Sequence, residues 1–588
     1  MKSEMRFLLA IVLMLVVLVV TNQLFPPKKP VPGTAADTTA VAGQGTPGAA
    51  AASGAQTGAA PATGTRTGAA PASHPTTNVL GDSVAAAAAA AQVKETPVTV
   101  AGPLYKFTFS NVGARLLAAD MLQYERLNHD QRDGVVDLVP KDAGGYLGHE
   151  LVAGPDTVDL SKVPFQVEPA DGLQVTKGGG PKTLKFRYAL PNGRLTVELS
   201  YEFSPDSYVV HVRGKVSGVD HALMITNLGQ GLPYTEADSA SEARSMAYVW
   251  NHVQSGIHST LLQKPALGVQ AGPYLWAAFK SKFFVIGMLA GQGGESPPQE
   301  ADYLGGLVVS KGTLPGRPDM AVTQAVHPDG SFGYRLFLGP QDYARLSSLG
   351  EDMQDVNPYG WRFIRPVMRP LVSVITAILV FLHNNLSMSY GWVLVLFGVL
   401  MRVVLWPLNQ KAMRAQLKNM AVQPLLQEIQ KKYKDDPQRL NKEMMRLHKE
   451  EGFNPLAGCL PLMLPYPVLI ALFFVFEKSI QLRGAPFLWL TDLSAPDPIY
   501  VLPIFMALST FAMQFVTMRS LPQQQSSQMK MMMWGMPLFM LFIFLKLASG
   551  LNLYYAVANI ATIPQQIWIA KERKKVAVKS SAKSKEKE

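Results

Sequence analysis

The stretch FGVLMRVVLWPLNQ, residues 397–410, places one arginine inside a long apolar run. Apolar residues fill the positions from Gly391 to Met401, and they continue from Val403 to Pro407. In a helix that rises 1.5 Å per residue, Arg402 would lie about 16 Å from the start of this run. A guanidinium at such a depth is costly in hydrocarbon, and ionisable residues within spans usually face the bundle interior or water. The stretch therefore predicts a membrane helix that does not face lipid on every side.

The alternative for Arg402 is a side chain that reaches the cytoplasmic headgroups. Polar residues in two other apolar segments favour the interior position. In the last of them Asn552, Asn559 and Gln566 recur every seven residues and therefore share one face of a helix. These amides could instead form hydrogen bonds between helices, which is common in membrane bundles. We predict a hydrated groove, and its candidate residues are Arg402, Gln514, Asn559, Thr562 and Gln566.

The chain divides into a soluble part and an apolar part. It has 588 residues, of which 48% are hydrophobic and 16% are charged. At roughly 150 residues per domain, this length allows two or three folded units. Long apolar runs dominate from about residue 360 onward. Five candidate spans lie there, at about 391–408, 457–476, 499–517, 531–548 and 551–569.

The N-terminal residues 1–25 carry Lys2 and Arg6 ahead of an apolar run, which is typical of a cleaved signal or of an uncleaved anchor. The segment from Phe7 to Phe25 is long enough to span a bilayer, and no small-residue cleavage site follows closely. We expect a membrane anchor. With the five later spans it makes six, so both termini would lie on the same side.

Between the anchor and the apolar part, two regions differ in composition. Residues 26–96 are a low-complexity linker of Ala, Gly, Pro and Thr, which cannot bury enough apolar surface to order itself. Its run of seven alanines, 85–91, could form a short helix. Residues 97–345 show strand patterns, with alternation in TLKFRYAL (183–190) and LTVELSYEF (195–203) on either side of Asn192-Gly193. The fold class expected is an α-helical multi-pass membrane protein with a large all-β sandwich domain.

The distribution of Lys and Arg predicts the orientation. Residues 409–456 contain ten basic residues and the tail 570–588 contains eight, whereas 477–498 contains only Lys478 and Arg483. The first two regions are therefore expected in the cytoplasm, together with both termini, and the β domain in the periplasm. Three arginines between 362 and 369 run against this rule.

Three peripheral segments have their own patterns. The apolar stretch within residues 361–386 is only twelve residues long (LVSVITAILVFL, 371–382), which favours an interfacial amphipathic helix over a span. Residues 409–456 predict a cytoplasmic helical hairpin broken at Asp435-Asp436-Pro437, either a solvated projection or a docking surface. The basic tail could bind anionic lipids or ribosomal RNA phosphates.

No motif indicates catalysis or a bound cofactor or metal. Cys459 is the single cysteine, which excludes an intramolecular disulfide and a cysteine metal pair. The ten histidines show no metal-ligand spacing, and no phosphate-binding loop occurs. We expect a protein that is not an enzyme.

Four stretches carry a resemblance to a known family. They are MRVVLWPLNQKAM (401–413), EGFNPLAGCLPLML (451–464), LRGAPFLWLTDLSAPDPIYVLP (482–503) and SGLNLYYAVANIATIPQQ (549–566). In this order and spacing they resemble the YidC-type membrane protein insertases of Gram-negative bacteria, relatives of the mitochondrial oxidase-assembly and chloroplast thylakoid insertases. Pro564 and Lys546 depart from the family pattern.

The resemblance implies a five-helix conserved core at 391–569 with a groove open to the cytoplasm and to lipid. Arg402 aligns with the family's groove arginine, and 361–386 with its interfacial helix. The implied function is insertion and folding of inner-membrane proteins, alone or with the Sec translocon, without nucleotide hydrolysis. Expected partners are nascent membrane proteins, the Sec translocon, the ribosome and anionic lipids, and the expected state is a monomer or weak oligomer.

Two other functions fit the residues. A small-solute transporter could use the same polar cavity, although transporters usually show internal repeats and we find none. The helices could also serve only to anchor the β domain.

Overall fold

The structure is a computed structural model that describes residues 78–91, 93–128, 134–293, 298–357, 364–407, 410, 429, 432–433, 436–450, 466–519 and 527–585. The predicted anchor 1–25 and the linker as far as residue 77 lie outside these residues. So do most of the first arm of the predicted hairpin and the first part of the predicted span 457–476.

Nineteen strands form the soluble part that the structure describes. They are β1 (Pro97–Ala101), β2 (Tyr105–Ser110), β3 (Leu116–Glu125), β4 (Val135–Asp137), β5 (His149–Ala153), β6 (Asp156–Asp159), β7 (Gln166–Glu168), β8 (Leu173–Gln174), β9 (Lys182–Ala189), β10 (Thr196–Phe203), β11 (Val209–Ser217), β12 (Ala222–Gly229), β13 (Ala247–His252), β14 (Gly256–Leu261), β15 (Gly268–Lys280), β16 (Phe284–Ala290), β17 (Leu304–Lys311), β18 (Pro318–Ala325) and β19 (Ser331–Pro340).

The strands form two sheets that pack face to face. The smaller has five strands in the order β4-β3-β2-β1-β8, and the larger has fourteen strands with β10 between β11 and β9. Alternate residues of β10 are buried, as the sequence pattern predicts. Phe109 of the small sheet lies 5.2 Å from the Tyr201 ring and 5.9 Å from the Phe186 ring of the large sheet. These aromatic contacts form part of the sandwich core.

The predicted hairpin between β9 and β10 is present, with Thr196 opposite Ala189. Gly193 has a φ of 70°, a left-handed conformation that glycine adopts without a steric penalty. The Gly193 amide donates to the Leu190 carbonyl at 2.8 Å. The Asn-Gly pair therefore marks the turn between two strands.

The end of the predicted linker 26–96, which contains the alanine run 85–91, is ordered. Residues 79–91 form helix α1 (Val79–Ala91), which packs beside β6. Asn78 donates to the Thr157 carbonyl at 2.8 Å and accepts from the Thr157 amide at 3.1 Å, and Val84 is buried. Alanine has the highest helix propensity, and these contacts supply the packing that a short helix needs.

The other helices of the described residues are α2 (Ser239–Ser245), α3 (Tyr343–Ser348), α4 (Arg365–Leu386), α5 (Tyr390–Pro407), α6 (Pro437–Glu450), α7 (Tyr466–Lys478), α8 (Val501–Arg519), α9 (Ser527–Phe544) and α10 (Ser549–Lys585). Among the described residues α4 and α5 are long and apolar enough to cross a membrane. The number of six spans stays a prediction.

Helix α4 covers the segment predicted to be interfacial. Met368, Val372, Ile375 and Leu379 are buried at helical spacing, so one face of α4 packs against the protein. Its 22 residues are also long enough for a span, because the helix extends on both sides of the apolar stretch 371–382. Its position at the interface stays a prediction.

The last helix runs further than predicted. The predicted final span ended at residue 569, where the apolar residues stop, but α10 continues to Lys585 and includes most of the tail 570–588. The extension contains no Gly or Pro and is rich in Ala and Lys, which are good helix formers.

Small residues bring α5 and α10 close together. A Cβ atom on Gly398 would lie 3.1 Å from the Val557 side chain, and one on Gly550 would lie 3.2 Å from the Leu394 side chain. Close helix packing at small residues is usual in membrane bundles. This packing sets Arg402 against the backbone of α10.

The β domain contacts the helical part through buried polar groups. Arg483, in the segment after α7, forms an ion pair with Glu236 at 2.8 Å. Lys282 donates to the Ser494 carbonyl at 3.1 Å. At the start of α4, Arg369 pairs with the fully buried carboxylate of Asp355. The domain is therefore fixed to the helices on one side.

Candidate functional site

Arg402 lies against the backbone of α10. Its Nε donates to the Ala558 carbonyl at 3.1 Å, and its side chain is half-buried. The hydroxyl of Thr562 donates to the same carbonyl at 2.6 Å. Two of the five predicted groove residues therefore meet at one oxygen atom. The contact uses one of the five N–H groups of the guanidinium.

Aromatic side chains surround the turn of α10 just before Ala558. Tyr554 is buried, and its ring lies 5.8 Å from that of Phe397 and 5.6 Å from that of Phe476. These rings belong to α5 and α7. The arginine is thus held where three helices meet, on the side of α5 that faces protein.

Asn559 faces a different helix. Its amide donates to the Thr510 hydroxyl at 2.8 Å and to the Ser509 hydroxyl at 3.2 Å, both on α8. Each hydroxyl in turn donates to the Met506 carbonyl at 2.8 Å. These contacts are hydrogen bonds between helices, the alternative that the sequence left open for the amides.

Gln514 lies one turn beyond Thr510 on α8. Its Oε1 atom is buried and has no hydrogen-bond partner among the described residues. Gln566 is half-buried. The structure therefore brings Arg402, Asn559 and Thr562 to one turn of α10, and leaves Gln514 and Gln566 further along their helices.

Gln565 is not among the predicted groove residues, although it lies in the same polar segment of the sequence. Gln565 is 2% exposed, more deeply buried than Gln566, and its Nε2 atom has no partner in the part of the chain that the structure describes. The amide recurrence selected Gln566. Gln565 lies seven residues after Ala558 and therefore on the same face of α10, but only the contact of Arg402 with Ala558 makes that relation visible.

Buried amide atoms without partners are a shared property of this region. Besides those of Gln514 and Gln565, the Oδ1 atom of Asn552 has no partner among the described residues, although its amide donates to Phe544 at 3.1 Å. An unpaired buried polar group costs about 1–3 kcal/mol. Water or a polar group of a bound chain would remove that cost.

The described part of the predicted hairpin is mainly its second arm, α6. The Asp436 carboxylate accepts from the backbone amides of Gln438 and Arg439 at 3.2 and 3.1 Å and so caps the helix. Within the described residues no group of three or more His, Cys, Asp or Glu side chains could hold a metal ion.

Two family models match the chain. The model of the 60Kd inner membrane protein matches residues 381–576, which contain α5 with Arg402 and most of α10 with Asn559. The model of the YidC periplasmic domain matches residues 97–374, which contain both sheets. Together they cover the apolar part and the β domain.

Full-length relatives give the same assignment. The chain is 30% identical over 516 residues to the membrane protein insertase YidC of Chlorobaculum tepidum, covering 83% of this chain and 84% of the relative. It is 32% identical over 443 residues to that of Chlorobium luteolum, covering 70% and 72%. A crystal structure of an active YidC insertase with its first transmembrane domain resolved is 16% identical with a TM-score of 0.30, covering 80% of this chain and 92% of that chain, a likeness too low to bear on the fold. The identity and coverage of the relatives confirm the resemblance: the chain belongs to the YidC family of membrane protein insertases.

Proposed function

We propose that this protein inserts membrane proteins into the inner membrane through a hydrated groove beside Arg402. The proposal is supported by the relatives named membrane protein insertase, which match over most of the chain. The family is one of insertases, not of enzymes. The structural observation that carries the groove is the meeting of Arg402 and Thr562 at the Ala558 carbonyl of α10. Helices α8 and α10 also carry buried amide atoms that have no partner among the described residues.

The physical role of the groove is to lower a barrier. A polar loop that crosses hydrocarbon loses its hydrogen bonds to water, at a cost of several kcal/mol for each unsatisfied group. A wet recess with one positive charge would shorten the dry path and attract acidic groups of the incoming chain. Burial of the client's apolar helix in lipid would then supply the driving force. No nucleotide hydrolysis is required.

The proposed topology has six spans, with both termini in the cytoplasm and the β domain in the periplasm. The Lys and Arg bias of 409–456 and of the tail supports it. Arg369 ran against this bias in the sequence. The Arg369 side chain pairs with Asp355 and lies 3.4 Å from Asp352, so the two carboxylates balance its charge. Arg369 therefore joins α4 to the segment before it, and its charge says little about topology.

The proposed partners follow from the same orientation. Nascent membrane proteins would enter the groove from the cytoplasm, where α6 and the basic end of α10 would offer contacts to the ribosome and to anionic lipids. The Sec translocon would be a second partner for part of the clients. The protein would work as a monomer or weak oligomer.

An insertion assay in cells depleted of the endogenous insertase tests the role of Arg402. Arg402→Ala should reduce insertion of clients with acidic translocated segments more than that of clients with neutral ones. Arg402→Lys should retain part of the activity, because charge matters more here than bidentate geometry. Arg187→Ala is the matched control, since that arginine is 63% exposed on β9.

If Arg402→Ala, present at normal levels, inserts acidic clients as well as the wild type does, Arg402 has no role in insertion. Equal losses for acidic and neutral clients would also contradict an electrostatic role, because a merely structural defect would not discriminate between them.

A further inference from the structure

A cavity of about 190 Å³ lies between the β domain and one end of α7. On the same measure, one water molecule needs roughly 10–15 Å³, so the cavity has room for a polyatomic ligand. Its charged lining residues are Arg244, Lys280, Lys282, Lys478 and Glu477. Four cations therefore face one carboxylate.

Two of the cations are buried in the cavity wall. Lys280 is 6% exposed and donates at 2.8 Å to the Ser245 carbonyl and to the Asn357 side chain. Lys282 is 8% exposed and donates to the Ser494 carbonyl. Neither they nor Arg244 form an ion pair with a carboxylate of the described residues. Buried charges normally pair with an opposite charge, so this wall lacks an anion.

The surrounding charges do not supply that anion. A smaller cavity of about 20 Å³ shares Lys282 and Glu477 with the first, and its other charged lining residues are Asp238 and Lys546. The two cavities together thus have five cations and two carboxylates. Lys546, the charge that departs from the family pattern, belongs to this cluster.

Exposed aromatic and aliphatic side chains next to the cavity indicate its level relative to a bilayer. The segment between α7 and α8 exposes Leu488 by 71% and Ile499 by 58%, together with Trp489 and Tyr500. Trp and Tyr are enriched where a bilayer meets water. Ser494, which accepts from Lys282, lies in the same segment, so the cavity would lie at headgroup level.

We propose that this cavity binds a phosphate-bearing anion through Lys280, Lys282 and Arg244. The sources of that chemistry are the headgroup of an anionic phospholipid and free phosphate. Burial and the positive charge of Lys478 lower the pKa of Lys280 to about 7. A bound anion would favour the charged form of this amine and so compensate for its burial.

The test uses the full chain in phosphatidylcholine nanodiscs. One arm adds phosphatidylglycerol and counts bound lipid by native mass spectrometry, and the other titrates inorganic phosphate by calorimetry. The variant Arg244→Gln/Lys282→Gln should lower the affinity for the bound anion about tenfold, since it removes two charged donors. The control Lys185→Gln/Lys215→Gln changes two exposed lysines on β9 and β11, and its net charge equals that of the Arg244→Gln/Lys282→Gln variant.

The arms identify the source. Phosphatidylglycerol binding that depends on Arg244 and Lys282, without phosphate binding, assigns a lipid headgroup; phosphate binding with the same dependence assigns a free anion. Equal affinities of wild type and variant for both probes would overturn the proposal, as would an equal loss in the control. The single variant Arg244→Glu should also weaken binding of the anion. Because Arg244 is exposed, this change is expected to leave the fold intact, so a loss of binding in it does not come from misfolding. No client is present, so the result is independent of insertion activity.

Discussion

The ion pair between Arg483 and Glu236 offers a quantitative test of how the β domain is fixed to the helices. The two side chains are 3% and 6% exposed, and the Arg483 Nε lies 2.8 Å from a Glu236 oxygen. The guanidinium also lies 5.2 Å from the centre of the Phe284 ring. The residues are 247 positions apart, so the pair joins the segment after α7 to the sandwich.

Arg483→Met would leave the Glu236 carboxylate buried without its partner. Removing one member of a buried pair costs about 3–5 kcal/mol, because the remaining charge stays desolvated. Replacing both, as in Arg483→Met/Glu236→Leu, should cost less than the single change, since no uncompensated charge is left. The double variant is therefore expected to be more stable than the single one.

Denaturation of the full chain in detergent, followed by tryptophan fluorescence, measures this order. Arg213→Met is the control, because Arg213 pairs with Glu202 at 2.7 Å on the surface and is 57% exposed. Exposed pairs contribute about 0–1 kcal/mol. The reasoning is refuted if Arg483→Met is as stable as this control, or if the double variant is less stable than the single one.

Two further predictions concern single side chains. Burial and the charge of Glu236 raise the pKa of Glu242 from 4.5 to about 7, so its contribution to stability is complete below pH 4.5 and is lost as the pH rises through 7. Glu242→Gln should flatten the fall of Tm between about pH 5 and 8, and an unaltered slope would count against this assignment. Asn559→Ala should lower the free energy of unfolding in detergent by roughly 0.6–1.7 kcal/mol, through lost hydrogen bonds to α8. A loss no greater than that of Leu508→Ala would contradict this role.

Local patterns predicted the strands and the position of the arginine. Alternation and Asn192-Gly193 located β9 and β10 to within about a residue, because both signals depend only on near neighbours. The apolar run around Arg402 predicted α5 in the same way. Arg402 contacts the Ala558 carbonyl of α10, and its place in a hydrated groove stays a prediction.

Features that depend on distant partners could not be predicted. Helix α1 docks through Asn78 on Thr157, 79 positions away, so the alanine run 85–91 allowed a short helix but did not reveal where it packs. Gln565 was overlooked because its environment depends on the neighbouring helices and not on the recurrence of amides along α10. The cation cavity combines residues of the β domain with the end of α7, and no local pattern joins them.

Water access to the helices beside Arg402 tests the central claim most directly. In a Cys459→Ser background the chain has no other cysteine, so single cysteines can be placed at Thr562 and Gln514. Leu508, 61% exposed on α8, is the lipid-facing control. A membrane-impermeant thiol reagent, added from the cytoplasmic side, is expected to label positions 562 and 514 but not 508. Labelling at 562 and 514 no faster than at 508 would contradict a hydrated groove.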